Sequence, residues 1–373
     1  MKIVILGSYA PSLVTFRGPL MQDMANMGHE VIACAPESPA HVVAALNKMG
    51  VVYRKVFIER TGTNPMSDLK TFFSLRELFL ELQPDIVLSY TIKPVIYGSL
   101  AAEAANVPNI YSMITGAGYV FGNSSSKQKL IKVVTVPMFR AALRTNTKVF
   151  FQNPDDRTLF LDMKLVSGDE QCVLINGSGV DVDYYWETPP VTDRIVFLLI
   201  ARLIREKGIF EYVGAARLIK KKYPDVVFNL LGPFDTNPTA ISEEQVREWQ
   251  DDEIIDYLGE TTDVRPFIAE SSVYVLPSYR EGTPRTVLEA MSMGRPIITT
   301  DVPGCRETVI DGKNGYLVPV KDVDAFVETM ERFILNPEII PVMGRESRRI
   351  AVDKYDVRKI NEVILDAMGL SCG

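Results

Sequence analysis

The stretch from residue 273 to residue 307 reads as a buried strand, a loop, a helix and a second strand. Residues 273–276 are a short apolar run closed by a proline, which is typical of a buried strand. Apolar residues then recur at helical spacing over 286–293, and Gly294 is placed to end that helix. Residues 296–300 form the next apolar run. A strand, a crossover helix and another strand in this order predict a parallel sheet covered by helices.

The same alternation of strand and helix patterns runs along most of the chain, in two series. A Gly-, Pro- and Asp-rich stretch at 176–194 interrupts it and is predicted to be a linker. The fold class predicted is therefore α/β, with two doubly wound, Rossmann-like parallel-sheet domains facing a central cleft. The domains are placed at 1–180 and 181–352, and the last 21 residues, 353–373, are predicted to form a C-terminal helix that packs back toward the first domain. Strands are predicted at 2–7, 30–35, 51–58, 85–89, 109–114, 149–152, 172–175, 194–201, 226–232, 254–258, 273–276, 296–300 and 315–318.

Composition excludes several classes of protein. With 47% hydrophobic and 23% charged residues, the chain of 373 residues is typical of soluble globular proteins. No apolar run approaches the roughly 18 residues of a membrane span. The net charge of −7 argues against a nucleic-acid partner. The first turn lacks the G-x-G-x-x-G pattern, so a dinucleotide site there is not expected.

The few histidines and cysteines restrict the possible chemistry further. Two histidines, His29 and His41, exclude histidine-centred triads and His-rich metal sites. The four cysteines are scattered without a C-x-x-C pair, which predicts free thiols in a reducing compartment and no zinc site. We therefore expect no metal and no cofactor.

Two carboxylates flank the loop and helix of the 273–307 stretch. Glu281 lies in the loop and Glu289 in the second helical turn, while Pro284 suits the first helical position. A helix start at the carboxyl end of a parallel strand favours a phosphate ligand, and a carboxylate pair suits a polyol. The alternative is structural: a surface Glu281 and an ion pair between Arg285 and Glu289 at i,i+4.

A second loop carries two cations. Arg202 and Lys207 follow the first strand of the second series and precede a helix that begins near Ile209. An arginine fork and a lysine point charge beside a helix start suit a diphosphate. The alternative is a solvated basic loop in which Arg205 and Glu206 pair locally.

Two loops of the first domain are predicted to line the same cleft. Lys93 follows one strand and is placed to meet a phosphate, while Thr115 and Gly116 follow another. The glycines at 116 and 118 either allow close backbone approach to a ligand or form a plain tight turn.

Residues 127–148 carry six basic residues and no acidic one, interleaved with apolar side chains. Such a basic amphipathic stretch is typical of contact with an anionic membrane surface. The alternative is an ordinary buried helix pair with a solvated face. Pro137 is predicted to split the stretch into two segments.

Three motifs, taken together and in order, resemble the retaining GT-B glycosyltransferases of family 4. They are R-x4-K-G at 202–208, E-G-x-P-x4-E-A-M-x2-G-x-P-I-I at 281–298 and G-C-R-E at 304–307. The resemblance spans the whole chain. Within the family, IARLIREKG at 200–208, PSYREGTPRTVLEAM at 277–291 and TIKP at 91–94 look like bacterial enzymes that extend polyprenyl-diphosphate-linked sugars.

The resemblance implies a role for each matching position. Arg202 and Lys207 would hold the donor diphosphate, Glu281 would bind donor-sugar hydroxyls, and Glu289 would bind the ribose. Arg202, Lys207 and Glu281 are the predicted catalytic residues. Many members have Phe or Leu where this chain has Thr283, which leaves the sugar open. The remaining predicted donor-binding residues are Gly7, Leu258, Gly282, Thr283, Pro284, Arg285 and Thr286, and the acceptor-side candidates are Arg17, Lys93, Thr115 and Gly116.

The resemblance also implies a reaction. The first domain would bind the acceptor and the second a UDP-sugar, and a hexose or N-acetylhexosamine would pass to a lipid-diphosphate-linked saccharide in bacterial polysaccharide assembly. N-acetylgalactosamine is the sugar we expect. Transfer would proceed with retention and without a metal, on the inner face of the cell membrane. No histidine stands at 115–118, so no catalytic histidine is carried over. The alternatives are a UDP-sugar epimerase on the same fold and a non-catalytic UDP-sugar-binding protein.

Overall fold

The computed structural model describes residues 1–59, 64–116 and 126–371. Packing divides the chain into two compact units. Unit 1 comprises Met1–Ser178 and Arg358–Gly373, and unit 2 comprises Gly179–Val357.

Over its described residues, unit 1 contains one seven-stranded sheet in which every strand pairs in parallel. The strand order is β3-β2-β1-β4-β5-β6-β7, so the direction of winding reverses between β1 and β4. The strands are β1 (Lys2–Leu6), β2 (Glu30–Ala35), β3 (Val52–Lys55), β4 (Ile86–Tyr90), β5 (Asn109–Ile114), β6 (Lys148–Phe151) and β7 (Cys172–Leu174).

Unit 2 contains a six-stranded sheet, again parallel throughout. Its order is β10-β9-β8-β11-β12-β13, and the winding reverses between β8 and β11. The predicted α/β class with two doubly wound sheets is thus confirmed. The strands are β8 (Val196–Ile200), β9 (Val227–Leu231), β10 (Asp256–Tyr257), β11 (Val273–Leu276), β12 (Ile297–Thr300) and β13 (Gly315–Val318).

Helices connect the strands of both sheets. They are α1 (Ala10–Asn26), α2 (Ala40–Lys48), α3 (Pro65–Leu82), α4 (Ser99–Ala104), α5 (Ser126–Arg144), α6 (Pro154–Asp162), α7 (Ile209–Lys222), α8 (Glu243–Asp251), α9 (Arg265–Ala269), α10 (Arg285–Ser292), α11 (Val323–Leu335), α12 (Ile339–Lys354) and α13 (Val357–Ala367). A π-helical turn, Pro94–Gly98, leads into α4. Apolar residues of α13, including Ile360 and Ile364, pack in the core of unit 1.

Each sheet is buried on both faces, which explains the continuous apolar runs in the sequence. Along β1, Val4 and Leu6 belong to one core cluster and Ile3 and Ile5 to another. The strands of unit 2 divide in the same way between two clusters.

Several predictions about single elements were wrong. Pro137 does not split the basic stretch, because α5 is one helix that contains it. A proline in a helix leaves the carbonyl of the residue four positions earlier without its N–H donor, and for Pro137 that residue is Val133. Val133 is 69% exposed, so water can donate a hydrogen bond to its carbonyl instead. Pro284 is the N-cap of α10 and not its first residue, since its ψ of 109° is extended. Helices α6 and α12 were not predicted.

The segment predicted as a linker is held firmly against unit 2. Arg295 is fully buried and donates to the carbonyls of Thr188 at 2.7 Å and Ile268 at 2.8 Å. Arg348 Nη1 donates to the carbonyls of Val182 at 2.9 Å and Tyr185 at 3.1 Å. Two arginines thus tie the chain after residue 180 to the second unit by backbone contacts.

Among the helices of the described residues, none has both the length and the apolar character needed to cross a membrane.

Candidate functional site

Two loops meet where the sheet of unit 2 reverses its winding. One follows β8 and the other follows β11, and these strands are hydrogen-bonded neighbours. In open parallel sheets, ligands bind outside the carboxyl ends of the strands at such a reversal. The loop after β8 carries Arg202 and Lys207, and the loop after β11 carries Glu281 and leads into α10. The two motifs singled out in the sequence therefore lie side by side.

Close backbone contacts lock these two loops together. Gly208 has a φ of +71°, and a Cβ added there would lie 2.0 Å from the Pro277 carbonyl oxygen, so only glycine fits. The Tyr279 N–H donates to the Glu206 carbonyl at 2.9 Å. Gly304, with a φ of +84°, also lies close to this loop, because a Cβ added there would be 2.4 Å from the Glu281 carbonyl oxygen.

Lys207 and Glu281 form an ion pair across the two loops. The Lys207 Nζ lies 2.5 Å from Glu281 Oε1, and the Ser278 hydroxyl lies 2.6 Å from the same oxygen. The side chains are 21% and 13% exposed, and Ser278 is buried. Glu281 is therefore not the surface carboxylate of the structural alternative. The arrangement places one cation and one carboxylate in a partly dry site, where electrostatic interactions are stronger than in water.

Glu289 is held inside α10 and is 6% exposed. Arg285 Nε lies 2.9 Å from its Oε1, so the i,i+4 pair of the structural alternative is present. Burial raises the pKa of the Glu289 carboxyl, and the Arg285 guanidinium counteracts this shift. The Glu289 carboxylate also has lone pairs beyond the one that Arg285 contacts, and these can accept hydrogen bonds from the hydroxyls of a ligand.

Arg202 takes a different partner from Lys207. Its Nη1 lies 2.7 Å from Asp235 Oδ2, and its side chain is 44% exposed. The local pairing predicted as the alternative for this loop is not what the structure shows. Instead Glu206 accepts from the Thr239 hydroxyl at 2.6 Å, and the Arg205 guanidinium lies 5.5 Å from the Phe210 ring centroid.

The start of α10 is anchored on the neighbouring strand. The Thr286 hydroxyl lies 2.6 Å from the Tyr274 hydroxyl and donates to the Ile200 carbonyl at 3.3 Å. The N–H groups in the first turn of an α-helix have no acceptor within the helix. Helix α10 therefore directs a positive dipole end toward the loop that carries Glu281.

Sequence reasoning missed two residues that support this site. The Tyr279 hydroxyl donates to Glu211 Oε1 at 2.7 Å and so ties the Glu281 loop to α7. Tyr185 comes from the segment predicted as a linker, and its carbonyl accepts from the Ser292 hydroxyl of α10 at 2.7 Å. Neither contact has a signal in the sequence, because the partners lie 68 and more than 100 positions apart.

The remaining predicted donor residues lie apart from this cluster along the chain. Leu258, which follows β10, is 36% exposed and donates its N–H to the Leu230 carbonyl at 2.9 Å. Gly7 lies in unit 1 after β1, where an added Cβ would fall 2.5 Å from the Tyr90 hydroxyl.

The predicted acceptor-side residues all lie in unit 1. Lys93 is paired with Asp68, with Nζ 2.7 Å from Oδ1, so a phosphate would have to compete with that carboxylate. Arg17 is 2% exposed and lies 5.1 Å from the Tyr90 ring centroid. Thr115 and Gly116 follow β5 and are both partly buried, and Gly116 has a φ of +123°.

The basic stretch 127–148 is only partly described. The side chains of Lys127, Lys129 and Lys132 lie outside the described residues. Farther along α5, Phe139 and Leu143 are buried in the core of unit 1. The later part of the helix thus matches the structural alternative, in which one face packs inward.

In the parts of the chain that the structure describes, no three His, Cys, Asp or Glu side chains are grouped as a metal site.

Two family models match the chain, one for each series of strands. Residues 194–336 match "Glycosyl transferases group 1", and residues 2–153 match "Glycosyl transferase 4-like". Curated relatives match over most of their length. The N,N'-diacetylbacillosaminyl-diphospho-undecaprenol alpha-1,3-N-acetylgalactosaminyltransferase of Campylobacter jejuni is 25% identical over 369 residues, with 95% of each chain covered. The UDP-Gal:alpha-D-GlcNAc-diphosphoundecaprenol alpha-1,3-galactosyltransferase of Escherichia coli is 25% identical. The match covers 81% of this chain and 79% of the length of that enzyme.

Solved structures share the whole fold. Sucrose-phosphate synthase from Thermosynechococcus elongatus superposes with a TM-score of 0.81 at 17% identity, covering 100% of both chains. Anabaena HepE, solved in complex with UDP and glucose, superposes with a TM-score of 0.78 at 18% identity over 99% of both chains.

Proposed function

Because this chain is a glycosyltransferase of family 4 with the GT-B fold, we propose that it transfers a hexose or N-acetylhexosamine from a UDP-sugar to a lipid-diphosphate-linked saccharide. N-acetylgalactosamine is the sugar we favour. The process served is the assembly of a bacterial glycan or polysaccharide.

The observation that carries this proposal is the meeting of Lys207, Glu281 and α10 at the winding reversal of unit 2. The site combines a cation, a helix start and two carboxylates, which are the groups that a nucleotide diphosphate joined to a sugar requires. Lys207 and Arg202 bind the diphosphate, Glu281 the sugar hydroxyls and Glu289 the ribose hydroxyls. UDP bound to HepE, a protein of the same fold, is in keeping with this choice of nucleotide.

The chemistry follows from where negative charge develops. The bond between the anomeric carbon and the β-phosphate oxygen breaks, and a bond forms between that carbon and an acceptor hydroxyl oxygen. The hydroxyl proton passes to the departing phosphate oxygen, so the products are UDP and the extended saccharide. Lys207, Arg202 and the start of α10 stabilise the charge on the leaving diphosphate without a metal. Attack on the face that the diphosphate leaves gives retention.

The acceptor is inferred from the relatives. Two of them, from Campylobacter jejuni and Escherichia coli, have names that specify acceptors linked through a diphosphate to undecaprenol. We place the acceptor in the first domain, on the side of Arg17, Lys93, Thr115 and Gly116. Since such an acceptor resides in a membrane, residues 127–148 hold the enzyme on the anionic inner surface.

The test is release of UDP by the purified full chain. Several UDP-sugars are supplied with and without a lipid-diphosphate-linked N-acetylhexosamine, and with and without EDTA. We expect release that requires the acceptor, resists EDTA and is fastest with UDP-N-acetylgalactosamine, and NMR of the product should show the donor's anomeric configuration. If no donor and acceptor pair yields UDP, the proposal is wrong. Conversion of the donor alone would instead identify an epimerase.

A further inference from the structure

Helix α3 of unit 1 exposes large apolar side chains along one face. With exposures of 78%, 53%, 51% and 44%, these residues are Met66, Leu69, Phe73 and Leu80. Successive members are three, four and seven positions apart, which places them in one row along the helix. The opposite face, which includes Leu75, packs in a core cluster of unit 1. A row of exposed apolar side chains of this kind marks a surface that meets a membrane or another molecule.

Charge divides this row into two halves. In the first half, at 66–73, the exposed charged residue is Lys70, whose Nζ lies 4.3 Å from the Phe57 ring centroid. The second half carries the exposed carboxylates Glu77 and Glu81. Apolar side chains beside a cation suit a surface of anionic lipid, whereas carboxylates are repelled by it. A membrane would therefore meet the first half of the row and not the second.

The first half of α3 also adjoins the side of unit 1 on which we place the acceptor. Asp68 lies in the first turn of α3, and its Oδ1 is 2.7 Å from the Nζ of Lys93, which follows β4. The two side chains are 17% and 12% exposed, so this ion pair is largely shielded from water. Because β4 runs parallel to its neighbours, Lys93 lies at the carboxyl edge of the sheet. The exposed row therefore begins at that edge.

A second copy of the chain suits this surface less well. From residue 66 to residue 73 the row extends about 10 Å, at 1.5 Å for each residue. A stable protein interface uses about 20–30 residues on each side, far more than this row supplies. Closed dimers also join the same patch of both copies, which would bring two Lys70 ammonium groups into one small contact. Like charges there oppose association.

We propose that the 66–73 face, made of Met66, Leu69, Lys70 and Phe73, inserts into the surface of a lipid bilayer and holds the acceptor side of unit 1 against the membrane. The choice of a lipid surface rests on the proposed function, in which a diphosphate links the acceptor saccharide to a lipid. The three apolar side chains enter the boundary between headgroups and acyl chains, and Lys70 binds an anionic headgroup.

The experiment separates this apolar contact from the electrostatic one proposed for 127–148. Vesicles of phosphatidylcholine and phosphatidylglycerol are sedimented with the full chain in about 1 M salt, where the screening length is about 3 Å. The wild type should keep measurable binding. Exchanging Leu69 and Phe73 together for glutamine, which keeps the helix propensity, should weaken that binding about tenfold or more. The matched control exchanges Leu335 and Val342, which are 63% and 51% exposed in unit 2, and should bind as the wild type does.

A second measurement does not depend on a loss of binding. Phe73→Trp places a fluorophore on the 66–73 face, and lipid brominated along its acyl chains should quench part of the emission. The emission of the wild type, which comes from Trp186 and Trp249, should be unchanged by the same vesicles. Absence of quenching in Phe73→Trp would contradict insertion.

Turnover distinguishes the inference from the proposed function. With the acceptor in detergent micelles, the glutamine double variant should release UDP as fast as the wild type, and with the acceptor in vesicles its KM for the acceptor should rise. Equal vesicle binding by wild type and double variant, or equal loss in the control, would overturn the inference while the proposed function stands. Self-association abolished by the double variant, with vesicle binding unchanged, would assign the face to a second copy. If no donor and acceptor pair yields UDP in detergent, the proposed function is wrong, and the vesicle measurements still decide whether the face binds lipid.

Discussion

Lys207 Nζ and Glu281 Oε1 lie 2.5 Å apart, although 74 positions separate the two residues in the sequence. Their loops follow neighbouring strands at the winding reversal of unit 2. In the proposed reaction, a donor diphosphate must share or replace this ion pair. Lys207 is therefore held in place before the donor arrives, which reduces the reorganisation needed as charge develops on the leaving group.

Replacing Lys207 by alanine should lower turnover by about 100-fold or more, the scale observed when a group that stabilises transition-state charge is lost. Steady-state release of UDP measures this, and Arg202→Ala should show a loss of the same order. The control is Lys222→Ala, an exposed lysine on α7 that is paired with Glu331 at 2.9 Å. Turnover of Lys207→Ala equal to the wild type would refute the diphosphate assignment.

The affinity for the donor should fall as the solution is made more acidic. The fall should begin at a higher pH than it would for a glutamate with an ordinary pKa. Burial raises the pKa of Glu289, and protonation removes an acceptor for the ribose hydroxyls. The sign follows directly: binding is full above the raised pKa and weakens as pH falls through it. Calorimetry with a UDP-sugar measures this, since its diphosphate keeps its charge over this range. Glu289→Gln should bind the donor weakly at every pH, so its affinity should not depend on pH in this range. The prediction would be contradicted if the affinity of the wild type were equally independent of pH.

Thr283 should influence which sugar is transferred. It lies between Gly282 and the N-cap of α10, two positions after Glu281, the residue assigned to the sugar. Thr283→Phe should change the ratio of kcat/KM for UDP-N-acetylgalactosamine and UDP-galactose by about tenfold or more, because a bulkier side chain alters the space available to the sugar. Thr283→Ser keeps the hydroxyl and should retain the wild-type ratio. An unchanged ratio in Thr283→Phe would show that specificity is determined elsewhere.

Tyr279→Phe should lower the free energy of unfolding by about 1–3 kcal/mol. The change leaves the Glu211 carboxylate, 8% exposed, without the hydroxyl that donates to Oε1 at 2.7 Å. Denaturation with urea measures the loss. Adding Glu211→Leu to this variant should recover part of the stability, because the unpartnered buried carboxylate is then removed. A double variant less stable than the sum of the two single changes would contradict this explanation.

Anionic vesicles should bind the chain in a salt-sensitive manner through the basic stretch 127–148. Exchanging Lys127, Lys129 and Lys132 for glutamine should weaken binding by about 3 kcal/mol, at about 1 kcal/mol for each cation near the surface. Vesicle sedimentation measures this. The control with the same change in charge replaces the three lysines in the last turn of α7, Lys220, Lys221 and Lys222. Equal loss in both triple variants would indicate a general effect of charge.

Much of the fold could be predicted because parallel sheets leave a strong pattern. Strands such as β8 and β11 are buried on both faces and read as continuous apolar runs between helical patterns. Helix α6 was missed because polar and charged residues fill most of its nine positions, whereas α12 was missed although apolar residues recur along it. The segment predicted as a linker does have irregular backbone, as its glycine, proline and aspartate residues indicate. These residues do not reveal that Arg295 and Arg348 bind it.

By itself, the sequence determined the two parallel sheets, the loops at which their strands end, and the residue types those loops bring to a site. Spacing and periodicity report which positions share a face, and those are local properties of the chain. Only the tertiary structure decided the partners. Lys207 meets Glu281 whereas Arg202 meets Asp235, and the Tyr185 carbonyl accepts from the Ser292 hydroxyl of α10. These choices depend on strand order and on packing between loops distant in the chain, and no local pattern encodes either.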